Sequence, residues 1–286
     1  MNIHINIINI MPNHKYKTSY GIALCRYNKN NNLQSEIIMV KKRYTYHYFS
    51  FIFGHYKKYN NKQIKYLFNH MTFDEKVTIL SMKFSNMWYR IWLYDPECNM
   101  SDIDNKSTYN SQYNHIKCYF SKKSKFDTIF LRDGGKRLKR LIDDSDNSVT
   151  PWEMPKGGIN EGETQIDCAR REFEEEACIT PDNYTMMWNV DPIIVSHTDC
   201  DVIYRSVYYL AYINNDSDWK PKVKFDTNTQ LTEIEQVRWI SLSEIKFLNL
   251  SDVVKNRLIK NYKKTINIFK KHIKSQYYNQ KLKRIM

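Results

Sequence analysis

Glycine and proline are scarce, at seven each in 286 residues, which excludes collagen-like and Pro/Gly-rich disordered chains. The six cysteines, at 25, 98, 118, 168, 178 and 200, contain no CxxC pair. Scattered in this way, they read as free thiols in a reducing compartment rather than a disulfide framework or a zinc site. No apolar run approaches the ~18 residues of a membrane-spanning helix. The first residues lack the basic head and small-residue cleavage site of a signal peptide. These absences together lead us to expect a cytoplasmic protein with no membrane partner. Nothing in the sequence sets an oligomeric state.

What is present is a globular composition, 42% hydrophobic and 26% charged, long enough for one or two domains. The chain carries 44 Lys+Arg against 31 Asp+Glu, a formal net charge of +13. Part of that excess is compatible with coding bias towards lysine, but its distribution is not uniform. Residues 1–124 hold 18 basic and 7 acidic residues, net +11. Residues 125–250 hold 15 and 23, net −8, and residues 251–286 hold 11 and 1, net +10. An acidic centre suits cations, and basic flanks suit a polyanion.

Apolar β-branched runs at 19–26 and 36–42 flank a polar turn and predict a hairpin. The aromatic stretch 44–59 has no clear period. Residues 62–70 suit one helical face, and Thr72 with Glu75 fits a capping box, with Val77, Leu80 and Phe84 expected on the apolar side. A deeply packed helix is predicted over 87–93. Residues 98–126 read as a loop or connector. A short helix is expected over 135–142, strands over 193–196, 202–213 and 237–240, a helix from Ser243, and a long amphipathic helix over 253–285.

The chemistry is concentrated in 152–179, WEMPKGGINEGETQIDCARREFEEEACI. Glu172, Glu175 and Glu176 stand at i, i+3 and i+4, so in a helix their carboxylates share a face. Such a cluster repels itself unless a hard divalent cation neutralises it. Ile166, Ala169 and Phe173 supply the opposite, buried stripe. Lys156, Gly157 and Gly158 precede the helix in a loop whose N–H groups and ammonium can approach phosphate oxygens. Arg171 adjoins the carboxylates and can orient one of them.

Gly157, Glu163, Arg171, Glu172, Phe173, Glu175, Glu176 and Ile179 resemble the signature of the Nudix hydrolases, G-x5-E-x7-R-E-U-x-E-E-x-G-U with U apolar. One position departs: Cys178 replaces the last glycine, which usually closes the helix at positive φ. The flanks, including TSYGIALCRYN, the stretch from IKYLFNHM to LYDPE and DGGKRLKRLI, are similar to mRNA-decapping Nudix enzymes of large cytoplasmic DNA viruses. That resemblance spans most of 18–250.

It implies an α/β fold, a Nudix α/β/α sandwich interrupted by a mainly helical insertion, with a basic C-terminal helix. The expected organisation is a first Nudix part at 1–43, a helical RNA-binding insertion at 44–126, the rest of the Nudix domain with its box (157–179) at 127–250, and a basic helix at 251–286. It implies Mg²⁺ or Mn²⁺ on Glu172, Glu175 and Glu176, with Glu163 peripheral, and a pyrophosphohydrolase. The reaction expected is removal of the 5′ cap from mRNA, leaving methylated GDP and 5′-monophosphate RNA. A box glutamate or Glu233 serves as base. Lys41, Lys42, Arg43, Tyr44, Tyr46, Lys57, Lys58, Lys62 and Lys65 are the candidate RNA contacts, joined by Tyr48, Phe49 and Tyr56. Trp88 and Trp92 are expected in the insertion core, and His47 and His55 as surface or RNA-facing groups. Two alternatives are hydrolysis of diphosphoinositol polyphosphates or nucleoside diphosphate derivatives, and a non-catalytic cap- or RNA-binding module.

Overall fold

The computed structural model describes residues 15–28, 34–92, 114–199, 202–213, 221, 223, 228–248 and 252–285. The polar loop expected at 214–224 falls almost wholly outside them, as do residues 98–113 of the expected connector.

The first two strands, β1 (Lys15–Asn28) and β2 (Gln34–Lys42), pair antiparallel, Cys25 facing Ile37, as the hairpin reading requires. On the far side of β1, β7 (Val202–Ile213) pairs in parallel, from Lys15 with Val202 to Cys25 with Tyr212. Around this centre lie β3 (Trp152–Glu153), β4 (Lys156–Gly157), β5 (Tyr184–Met186), β6 (Ile193–Asp199) and β8 (Ile234–Ser241).

Period-two alternation divides the central strands between two cores. Ile22, Leu24, Ile38 and Val40 face the helix Gln165–Ala177, meeting its Ala169, Phe173 and Ala177. Ala23, Cys25, Ile37 and Met39 face the opposite way, towards Tyr262, Ile266 and Phe269 of the helix Asp252–Ile285. Each large side chain fully buried here contributes roughly 1.5–3 kcal/mol. The C-terminal helix is therefore the third layer of the sandwich, and its apolar residues recur as the sequence spacing predicts. None of the described helices is long and apolar enough to cross a membrane.

The chain leaves the sheet after Lys42 and returns at Trp152, which pairs with Lys41 on β2. Between them lies a helical layer: α1 (Tyr46–Ile52), α2 (Asn61–Asn69), α3 (Phe73–Ser81), α4 (Phe84–Trp92), α5 (Asn114–Phe126) and α6 (Lys136–Asp143). One core joins Tyr48, Phe51, Phe68, Trp88, Phe126 and Phe130 with Leu138. The helical layer thus continues past residue 126, α5 passing directly into a π-helical turn, Asp127–Leu131.

Four local expectations need correction. The aromatic stretch after Arg43 contains α1, whose N-cap Thr45 accepts from the Tyr48 N–H. It shows no period because aromatics on several sides of it find partners. The end of the expected connector, 114–126, is helical. Tyr48 and Tyr56 are core residues rather than RNA contacts, and Phe49 is half-buried against the same core.

The fourth correction concerns α3. Its capping box forms, but Val77 and Leu80 are exposed while Glu75, Lys76 and Ile79 are buried. Polar partners set this rotation. The Glu75 carboxylate accepts from the backbone N–H of both Thr72 and Thr45, at 2.8 and 2.6 Å, so it caps α3 and α1 together. Lys76 donates to the Asp146 carbonyl and, at 3.0 Å, to Asn147 Oδ1. Satisfied in this way, two charged side chains take the inner face.

Candidate active site

The helix Gln165–Ala177 starts at Thr164, whose hydroxyl accepts from the Asp167 N–H, and it ends at Cys178 in the left-handed region, φ 53° and ψ 41°. Cys178 is the one non-glycine at positive φ among the described residues, so the departure from glycine does not change the helix exit.

Along this helix Arg171 gathers three carboxylates. It lies 2.8 Å from Glu163 through Nε, 2.8 Å from Glu172 and 3.4 Å from Glu175 through Nη1. Its Nη2 also donates to the Gly158 carbonyl at 2.9 Å. Hydrogen bonds from Arg171 hold the Glu163 carboxyl down at about 2. Partial burial raises Glu172 despite the same arginine.

Glycine at 157 leaves free the space that the Glu172 carboxylate occupies. A Cβ there would meet the Glu172 carboxyl carbon at 2.0 Å and both its oxygens within 2.3 Å. The strand pair Gly21–Lys156 brings the loop to β1, and Gly21 admits the Pro155 carbonyl in the same manner.

Glu176 points inward and is buried. Lys42 donates to its Oε1 at 2.5 Å, and the Lys156 backbone N–H donates to its Oε2 at 3.2 Å. Burial pushes Glu176 up to about 7, with Lys42 opposing. Burial alone would lower Lys42, but Glu176 and its other acidic neighbours raise it well above its usual value. Lys42 is therefore no surface RNA contact. The alternation of β2 turns it inside, where it also lies 3.3 Å from Glu233 and 3.8 Å from Glu153.

Glu233 ends the short helix Asn228–Glu233 beside this cluster, so the structure brings it to the box carboxylates. Glu153 is the member that sequence reasoning missed. It pairs with Lys156 Nζ at 2.7 Å and accepts from the Tyr46 hydroxyl at 2.5 Å. Lys156 reaches the same hydroxyl at 3.2 Å. Thus the first helix of the insertion is hydrogen-bonded into the loop before the box. The signal for Glu153 lay in its place within WEMPKG.

The other expected contacts are dispersed. Lys41 pairs with Glu235 at 2.8 Å. Arg43 donates to the Ile234 carbonyl at 3.0 Å. Tyr44 is half-buried and stacked on Tyr48, with centroids 5.1 Å apart. Lys57, Lys62 and Lys65 are exposed, and Lys58 is half-exposed. His55 is exposed, whereas His47 is not a surface group. It lies beside His70, centroids 4.7 Å apart, and 3.8 Å from Asp199 of β6, a carboxylate distant in sequence.

The donor set suits a hard divalent cation, because it consists of carboxylate oxygens projected from one helix over a glycine loop. Arg171 and Lys42 now engage those oxygens, and among the described residues no three acidic, His or Cys side chains converge on a common ligand position.

Comparison with known proteins gives this arrangement its family. Residues 126–262 match the family described as NUDIX domain. The mRNA-decapping protein g5R of African swine fever virus (isolate Warthog/Namibia/Wart80/1980) is 32% identical over 258 residues, covering 86% of this chain and 97% of that protein. The chain belongs to the Nudix family. It is a Nudix pyrophosphohydrolase related to viral mRNA-decapping proteins. A putative mRNA-decapping protein of Acanthamoeba polyphaga mimivirus is 26% identical over 247 residues, covering 80% of this chain and 64% of that one. A solved C. elegans Ap4A hydrolase binary complex aligns over 84% of this chain and 93% of its own, with 13% identity and a TM-score of 0.36.

Proposed function

We propose that this Nudix hydrolase removes the 5′ cap of mRNA in the cytoplasm of an infected cell, releasing methylated GDP and 5′-monophosphate RNA. One observation carries the reading. Tyr46, on the helical insertion, hydrogen-bonds both Glu153 and Lys156 beside the box, so a long substrate can touch insertion and hydrolytic site at once. Similarity to proteins named for decapping supports it.

Water attacks a cap phosphate in line, and the bridging P–O bond between cap and RNA breaks. Glu172, Glu175 and Glu176, with Glu163 peripheral, would hold Mg²⁺ or Mn²⁺, which would supply a lowered pKa for the attacking water and neutralisation of developing charge. Arg171 sets the carboxylates in place, and Glu233 or a box glutamate takes the proton. Lys156 and the backbone of Gly157 and Gly158 approach the phosphates. The insertion, with Lys57, Lys58, Lys62 and Lys65, contacts the body of the RNA.

The test is incubation with cap-labelled RNA and either metal, with products resolved by chromatography. Methylated GDP is the expected product, and Glu175→Gln lowers the rate about 10²–10⁴-fold, the usual worth of a positioned acid–base group. Cleavage of a diphosphoinositol polyphosphate without any release of methylated GDP would overturn the reading.

A further inference from the structure

Glu153 lies outside the Nudix signature, yet its carboxylate is the meeting point of three other elements. Its Oε1 accepts from the Tyr46 hydroxyl of α1 at 2.5 Å, and its Oε2 pairs with Lys156 Nζ of β4 at 2.7 Å. Lys42 of β2 stands 3.8 Å from Oε1. Burial works to raise the Glu153 carboxyl, but Lys156 and Lys42 outweigh it and hold it below the ordinary carboxylate range. The group therefore stays charged.

The donors and acceptors of this triangle can be counted. An ammonium has three N–H groups and no acceptor, whereas a phenol has one O–H and lone pairs. The Tyr46 O–H goes to Glu153, so its lone pair is left to accept from Lys156 at 3.2 Å. Glu153 and Tyr46 thus take two of the three Lys156 N–H groups. The third has no protein partner among the described residues. Only 15–16% of the Glu153 and Lys156 side chains is exposed, so this is no ordinary solvated ion pair. Tyr46, at 49% exposed, borders the open side.

Lys156 is also tied at its other end. Its backbone N–H donates to Glu176 Oε2 at 3.2 Å, and the residue pairs with Gly21 on β1. The ammonium is therefore fixed relative to the box carboxylates. A free lysine side chain loses rotamer entropy when it meets an anion. Here that ordering has already occurred on folding, which is how a charged group favours a transition state over a ground state.

We infer that Glu153 is a positioning residue for hydrolysis: with the Tyr46 hydroxyl it orients the Lys156 ammonium towards the substrate phosphates. The first helix of the insertion then sets part of the hydrolytic geometry without itself touching RNA through Tyr46. This assignment rests on the reading of Lys156 as a phosphate-binding residue, and not on what the phosphates are attached to.

The test is steady-state hydrolysis of a methylated cap dinucleotide and of a long capped RNA by the full chain with Mg²⁺. Glu153→Gln is expected to lower kcat about tenfold or more and Tyr46→Phe about threefold or more, with KM changed less than about twofold. The losses should be equal on the two substrates. In a Lys156→Ala background, either change should cost less than about a further twofold, because no ammonium is left to orient. Should Glu153→Gln fail to fold, Tyr46→Phe, which removes one oxygen, completes the same cycle. Fully additive losses would overturn the assignment, as would unchanged kcat in the single variants. So would a Tyr46→Phe effect confined to KM on the long RNA, since that marks a direct RNA contact. Wild-type turnover by Lys156→Ala would overturn the phosphate role of Lys156 as well. If the wild type releases no methylated GDP, the decapping reading fails by itself, and the same cycle is read on a diphosphoinositol polyphosphate.

Discussion

Glu172 rests where Gly157 has no side chain, one of several contacts that join the loop to the helix. Gly157→Ala is therefore expected to displace the Glu172 carboxylate and abolish most hydrolysis. Stability should fall by no more than the few kcal/mol typical of a steric change at a half-buried site. Product release and thermal melting, measured on the same preparation, separate the two effects. The spacing of glycine and glutamates was legible in the sequence, as was Arg171 beside them. Lys42 was misplaced among surface cations because sequence shows a strand's alternation but not which face is covered. Glu153 was missed because a lone carboxylate carries no periodic signal.

Among the elements, the box helix closes on Cys178 rather than glycine. A non-glycine residue there stores about 1 kcal/mol, less the entropy glycine regains on unfolding. Cys178→Gly is thus expected to raise stability by up to about 1 kcal/mol without changing hydrolysis, as urea denaturation would show. The departure was visible in the pattern, and φ 53° gives it physical meaning. In α3 the capping box was equally legible, but its rotation was not. Val77 and Leu80 look like a buried stripe until Glu75 and Lys76 find partners from Thr45 and the 145–147 loop. No sequence window contains both ends of those bonds.

In the whole molecule, helical layer and sheet meet where His47, His70 and Tyr66 approach Asp199. Burial and the neighbouring His70 lower His47 to about 4 from an ordinary 6.5, against the pull of Asp199. The folded state therefore binds fewer protons than the unfolded one between those values. Stability from this group is complete above pH 6.5 and is lost as pH falls towards 4, by roughly 3 kcal/mol at most. His47→Gln should flatten the acid limb of a melting-temperature profile across that window, and an unchanged limb would remove His47 as its source. A second expectation follows from the segregated charge. Binding of RNA should weaken steeply with salt, with the logarithm of affinity falling in proportion to the phosphates neutralised. A flat salt response would exclude the basic surfaces as its origin.

The sequence alone determined the carboxylate spacing, the hairpin, the amphipathic C-terminal helix and the segregation of charge, because each depends on residues close together in the chain. Only the tertiary structure decided that Lys42 meets Glu176, that Tyr46 reaches Glu153, and that His47 approaches Asp199. Those contacts join residues from different elements. Their geometry follows from burying two sheet faces and a helical core together, which no local pattern encodes.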